Sequence, residues 1–462
     1  MRMDQRVGLA TTDFVSSLVR SFAGGLAALA VTLIVTPIRG ECPTAEQVRQ
    51  LVAELGDDRF SVREAATREL LGAGREAVDP LRQAAGGRDL EVTVRSVALL
   101  RQLYLEADPS TSAAAGDALR ALISSPRAPT AHYAHRALRS RHNLAVWQLR
   151  SLGADVRHET RSDEVSPGLR VSINDRWQGG DGGLQPLADV EDLTRLSLKR
   201  AAVSPDAAMH LRRLSRVEWL SLEDTTFGDD QLAEIAGLTS LRRLYLGDSR
   251  VTGAGLVHLS GLRELEYLSL KNLRVGDTDI RCLEGLPKLS QLGLDETKLT
   301  NAGLVEVAKL RGLQTLWINS AQVTDAGLAP LADLSQLRSL YIADTKLTGE
   351  GLSALVGRAD LVFLSCTNAT VNDAGLEQIA KFTNLQTLLL DGSQVTDEGL
   401  RHLAALKRLQ SLWLQDTKIS DAGLKHLYGL TDLATLRLNR SKVTAAGIAE
   451  LNEALPNAET RR

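Results

Sequence analysis

The chain has 462 residues, with 54 Lys and Arg against 57 Asp and Glu, for a formal net charge of −3. So even a balance gives no global attraction to nucleic acid or anionic lipid. Three cysteines, Cys42, Cys282 and Cys366, exclude a disulfide framework, while the length allows more than one domain.

Residues 1–43 carry Arg2, Arg6 and Arg20, partly offset by Asp4 and Asp13, and an uncharged run at 21–38, SFAGGLAALAVTLIVTPI. As a helix that run would span about 27 Å, slightly less than a ~30 Å hydrocarbon core. It reads as an export signal ending near Gly40 or as an uncleaved N-terminal membrane anchor, with an ordinary buried helix as the third reading. Either of the first two makes the protein membrane-anchored or exported, if Arg20 stays inside. No lipoprotein-type small residues directly precede Cys42.

Residues 44–154 are predicted to be helical. Apolar residues recur at three-and-four spacing over 57–85, broken by Gly72 and Gly74, and again over 89–104. Val62-Arg63 and Val94-Arg95 occupy matching places, and these lines resemble HEAT-like helical pairs over about two units. Residues 108–116 read as a loop between that region and helices near 115–124 and 130–153. The segment is either a spacer or a second protein-binding surface.

Residues 155–192 contain two expected short strands, 156–159 and 169–173. Gly183-Leu184 falls one period before the regular pattern, so this stretch is read as a degenerate N-terminal capping unit. From Leu193 the frame L-x-x-L-x-L-x-x-(S/T)-x-V-T-x-x-G-L-x-x-L-x-x-L repeats every 24 residues, eleven times without insertion. Units start at Leu193, Val217, Leu241, Leu265, Leu289, Leu313, Leu337, Leu361, Leu385, Leu409 and Leu433. Apolar positions 4 and 6 share one side of a strand. Apolar positions 16, 19 and 22 follow helical spacing. A Ser, Thr or Asn at position 12, such as Thr252, Thr300, Asn372 or Ser420, suits a helix cap. Gly at position 15, eight times, marks a close backbone approach. Arg358 breaks an otherwise mostly apolar position. Pro456 and a polar tail over 451–462 stop the pattern.

The expected fold is an α/β solenoid, 193–462, with parallel strands inside and helices outside, preceded by the helical domain. The unit resembles a leucine-rich repeat. The wording VTDAGL at 323–328 is similar to the cysteine-containing and GALA-type repeats of F-box proteins and many bacterial proteins. That resemblance implies a horseshoe with an inner strand face, and it implies no chemistry, because the fold hosts many ligands.

The sequence has no phosphate-binding Gly-rich loop with Lys, no Gly-x-Ser-x-Gly elbow and no His-Glu-x-x-His. No catalytic residue, cofactor or metal is expected. His210, His258, His402 and His426 recur at position 18 on the outer helices, with Cys282 following His258, too few together for a structural zinc. His132 and His135 share a helix face without a third ligand.

The strand face carries the functional signal. Positions 3 and 5 hold Trp219, Tyr245, Tyr267, Trp317, Tyr341, Phe363 and Trp413, seven of the chain's 17 aromatics. Exposed aromatics dominate binding hot spots, although cross-strand stacking alone also favours them. Acidic residues at positions 7 and 8, among them Glu223, Asp224, Asp248, Asp295, Glu296, Asp344, Asp391 and Asp416, read as a rim that disfavours nucleic acid or as solvated turn residues. Hydroxyls at position 9 are expected to bond the turn backbone and run as a ladder from coil to coil. The expected function is a non-enzymatic module binding a protein partner on the concave strand face. An exported glycan-binding protein is one alternative. Another is a substrate-recognition adaptor similar to F-box leucine-rich repeat proteins, although no F-box-like segment precedes the repeats.

Overall fold

The computed structural model describes residues 44–106, 109–159, 166–358 and 360–461. The apolar run 21–38 lies outside the described residues. The chain forms two compact units that divide after Ala137.

The first unit is helical: α1 (Ala45–Glu54), α2 (Phe60–Gly72), α3 (Arg75–Ala85), α4 (Leu90–Glu106), α5 (Pro109–Ile123) and the start of α6 (Ala128–Ser151). A capping box opens α1. The Thr44 hydroxyl accepts from the Gln47 N–H, and Gln47 Oε1 accepts from the Thr44 N–H at 2.7 Å. Gly74, at φ +56°, takes the left-handed turn between α2 and α3. Leu70, Leu81, Leu100 and Leu119 are fully buried.

The loop expected over 108–116 is helix from Pro109 onward. Proline suits a first helical turn, where its missing N–H would have no partner anyway. Ala115 is fully buried, and Ser112 Oγ donates to the Tyr104 carbonyl at 2.8 Å. These small residues are packing contacts. The matching Val-Arg pairs hold different partners: Arg63 donates to the carbonyls of Asp57 and Asp58 at 2.6 and 2.9 Å, whereas Arg95 pairs with Glu91 at 2.8 Å.

The second unit is a 14-stranded sheet in strict chain order. The antiparallel pair β1 (Asp155–Glu159) and β2 (Gly168–Ser172) begins it. Eleven strands follow, from β3 (Leu193–Ser197) to β13 (Thr435–Arg437), each parallel to the one before. The repeat has no insertions, so Leu244 lies opposite Leu268 and Leu268 opposite Leu292, and the fourth position becomes one straight column. In the coil starting at Leu241, that residue and Leu244, Leu246, Leu256, Leu259 and Leu262 are all fully buried. Each such side chain contributes roughly 1.5–3 kcal/mol. Burial pushes the Cys366 thiol up, as befits a core position. The end of α6 adds Ala145 and Leu149 to this core.

The structure makes three readings more specific. The outer segments are short, and many are 3₁₀ helices, such as Gly253–Gly261 and Asp277–Gly285, while others are brief α-helices such as Asn301–Val307. Positions 16, 19 and 22 are three apart, and a 3₁₀ helix eclipses side chains at that spacing. At Arg358 the helix is simply short: it ends at Leu355, Gly357 turns at φ +72°, and Arg358 is exposed. The C-terminal tail adds a short strand, β14 (Glu459–Arg461), on the last coil, with Thr460 opposite Leu436. A polar residue then stands in the leucine column at the open end.

Candidate interaction face

All seven aromatics at positions 3 and 5 lie on the strand face, each half-buried. Six form one continuous row. Trp219 and Tyr245 have ring centroids 5.0 Å apart, Tyr245 and Tyr267 4.6 Å, Trp317 and Tyr341 5.2 Å and near-parallel, and Tyr341 and Phe363 4.6 Å. The link between Tyr267 and Trp317 spans two coils, edge to face at 5.8 Å. The coil between them places Gly293 at position 5, where no side chain separates the rings.

Trp413 stands apart, because Thr387 and Leu389 occupy the coil between it and Phe363. Its own neighbours orient it. The Arg437 guanidinium lies 3.7 Å from its ring centroid, and the indole N–H donates to Ser411 Oγ at 3.1 Å. Arg437 Nε is buried without a hydrogen-bond partner, so the ring face is what that cation meets. Arg243 approaches Tyr267 at 5.5 Å and Arg170 approaches Trp219 at 5.8 Å. Burial, ahead of the neighbouring Tyr245, pushes the Tyr267 phenol up to about 12. Burial raises Tyr341 as well.

The acidic residues beside the row are engaged within the chain. Glu223 pairs with Lys199 at 3.2 Å, Asp224 with Arg200 at 2.9 Å, Glu296 with Lys271 at 3.3 Å and Asp416 with Arg440 at 3.4 Å. Asp248 and Asp344 accept from Asn272 and Asn368 of the following coils. Asp295 and Asp391 accept from the backbone N–H of Asn319 and Gln415, and burial raises both carboxyls. Position 8 has φ near +55° in ten coils, with Gly392 in the eleventh. Asp and Asn tolerate that left-handed turn better than most residues, which explains their recurrence. At the start of the sheet Arg195 pairs with Glu159.

The position-9 threonines bond inside their own coil and do not form a ladder, and Ser393 Oγ is buried without a hydrogen-bond partner among the described residues. Thr225, Thr297, Thr345 and Thr417 each donate to the carbonyl three residues back, at 2.6–2.7 Å. The ladder lies elsewhere. Asp373 accepts from both the N–H and the hydroxyl of Thr396 in the next coil, at 2.8 and 2.7 Å; Asp397 does the same for Ser420 and Asp421 for Thr444. The signal was an Asp at position 13 beside a hydroxyl at position 12, which shows only when successive units are compared. Among the described residues no group of three or more His, Cys, Asp or Glu is placed to hold a metal ion.

A short parallel strand and an outer helical turn on a 24-residue period define a leucine-rich repeat domain. Residues 335–356 match the family described as Leucine Rich repeat. No curated protein matches the chain. Among solved structures it is similar to an internalin (inlF) of Listeria monocytogenes, at 23% identity over 60% of this chain and 76% of that one, with a TM-score of 0.47. It is also similar to a leucine-rich repeat protein of Leptospira interrogans, at 18% identity over 60% and 86%, with a TM-score of 0.37. A plant peptide hormone receptor, RGFR1 in complex with RGF2, matches at 16% identity over 60% and 52%, with a TM-score of 0.34.

Proposed function

We propose that this chain is a non-enzymatic interaction module that takes a protein partner on its strand face. The observation that carries the reading is the unbroken row of half-buried rings from Trp219 to Phe363, with Trp413 beyond it. Seven coils at ~4.8 Å spacing give the row a length of about 30 Å. Rings already half-packed lose little entropy on binding and bring large contact areas. The surrounding carboxylates already hold ion-pair or hydrogen-bond partners within the chain, so covering them leaves few of them without a partner.

The test compares the full chain with a Trp317→Ala/Trp413→Ala variant, first by affinity capture and then by titration of the captured partner. Binding should weaken by more than ~1 kcal/mol, with the thermal midpoint unchanged. An equal loss of folding stability would assign the row to sheet stacking instead. The same pair on a glycan array separates a protein partner from a sugar.

Among the described residues no helix is long and apolar enough to cross a membrane. On the strength of residues 21–38 we place the module at a membrane or outside the cytoplasm. Cell fractionation with N-terminal sequencing of the mature chain decides between anchor and cleaved signal.

A further inference from the structure

Position 10 of the repeat carries a second surface, on the turn that leaves the strand face. Over the nine coils from the one starting at Leu241 to the last, that position is Arg250, Arg274, Lys298, Gln322, Lys346, Thr370, Gln394, Lys418 and Lys442. All six cations are exposed. Many other cations of the repeats form ion pairs, as Lys199, Arg200, Lys271, Lys288 and Arg440 do. The six at position 10 form no ion pair and no side-chain hydrogen bond among the described residues.

The backbone holds them in line. The N–H of Arg250 donates to Phe227 O at 2.8 Å, that of Lys298 to Val275 O at 3.1 Å and that of Lys442 to Ile419 O at 2.8 Å. Position 10 is thus fixed one coil apart, at ~4.8 Å per coil. Its neighbours in sequence point inward: Thr297 and Leu299 are both buried. Lys298 between them must point outward.

We propose that this edge binds a single chain of an acidic polysaccharide, with Arg250, Arg274, Lys298 and Lys346 meeting successive carboxylate or sulfate groups. The row is one charge wide. Acidic turn residues run beside it, Asp248, Glu296 and Asp344 among them, and a broad anionic bilayer would meet those too. Positions 8–12 of these coils contain no aromatic residue, so the stacking platform that single-stranded nucleic acid uses is missing. A cleft of about 320 Å³ between Arg250 and Arg274 is lined by Ser249, Val251, Thr252 and Asn272. The Ser249 hydroxyl beside two guanidiniums suits the hydroxyl and acid groups of a sugar, while the Thr252 hydroxyl and the Asn272 amide are held by Asp229 and Asp248.

The test uses the full chain with three probes at low salt: polygalacturonate, single-stranded poly(dT), and vesicles with anionic lipid. One variant is Arg250→Gln/Arg274→Gln/Lys298→Gln/Lys346→Gln. A charge-matched control is Lys199→Gln/Arg200→Gln/Lys288→Gln/Arg401→Gln, four cations that already have partners. Polygalacturonate should bind, release as salt rises, and lose roughly tenfold or more in affinity in the row variant alone. Thermal melts of both variants should match wild type. Trp317→Ala should leave this binding intact, which separates it from the strand-face reading. Failure to bind polygalacturonate, equal loss in the control, or tighter binding of poly(dT) or vesicles overturns the proposal.

Discussion

Tyr267 is the ring on which the row turns. It joins Tyr245 on one side and reaches across a glycine-bearing coil to Trp317 on the other. Burial, then the nearby Tyr245, Glu223 and Asp295, hold its phenol neutral up to about 12, with a hydrogen bond to Ser269 working the other way. In the unfolded chain a tyrosine ionises at ~10. The folded value is the raised one. Whatever Tyr267 adds to stability is therefore complete below the unfolded value and is lost as pH rises through the folded one. Spectrophotometric titration should show a phenol ionising near 12 that is missing in Tyr267→Phe, and alkaline unfolding should come later in that variant. An unchanged titration curve in Tyr267→Phe would mean the ring is wetter than its packing indicates. The seven aromatics themselves were legible in the sequence because strand side chains alternate, which puts positions 3 and 5 on one face whatever the coil does. Their grouping was not. The gap at Trp413 and the bridge over Gly293 depend on which residue the neighbouring coil offers, a relation between strands 24 residues apart.

Between coils the decisive element is the junction of the cap residue with the preceding Asp. The glycine at position 15 was readable as a close approach, and what it approaches is this carboxylate. A Cβ at Gly399 would collide with Asp373, the group that accepts from Thr396. Gly399→Ala should therefore force the carboxylate off its donors, while Asp373→Ala removes both bonds directly at a cost of ~1–3 kcal/mol. In the double variant most of the glycine's penalty should vanish, since the colliding group is gone. Urea midpoints of the two single variants and the double variant measure this coupling, and strictly additive losses would refute it. Element types followed from period alone for the strands, since Leu at position 4 has no other place to point. Helix type was less plain: a spacing of three fits either helix over so short a run. Pro, Ser and Thr after 108 signal a turn locally, whereas here Pro109 starts a helix whose Ala115 and Ala118 are buried.

At the scale of the whole repeat domain, stability is the sum of coils and the junctions between neighbours. Removing residues 289–312, one period, should leave every junction of the same kind: Asp277 would meet Thr324 in place of Thr300, and the leucine columns would close up. Trp317, at position 5, would then sit one coil from Tyr267, at position 3, the relation that Trp219 and Tyr245 already have at 5.0 Å. The ring row would stay continuous and shorten by about 5 Å. The shortened chain should give the same circular dichroism per residue and one cooperative urea transition. Its slope should fall with the surface buried, and its midpoint should be only modestly lower. Removing twelve residues instead, half a period, would still bring the leucine of position 16 to position 4, but it would put polar positions 13 and 18, Asn301 and Glu306 for example, at the buried apolar places 1 and 6; that chain should show no cooperative transition. If the 24-residue deletion behaves like the 12-residue one, the coils are not the independent units that their identical register implies, and the ring row could not be treated as a surface laid over a neutral scaffold.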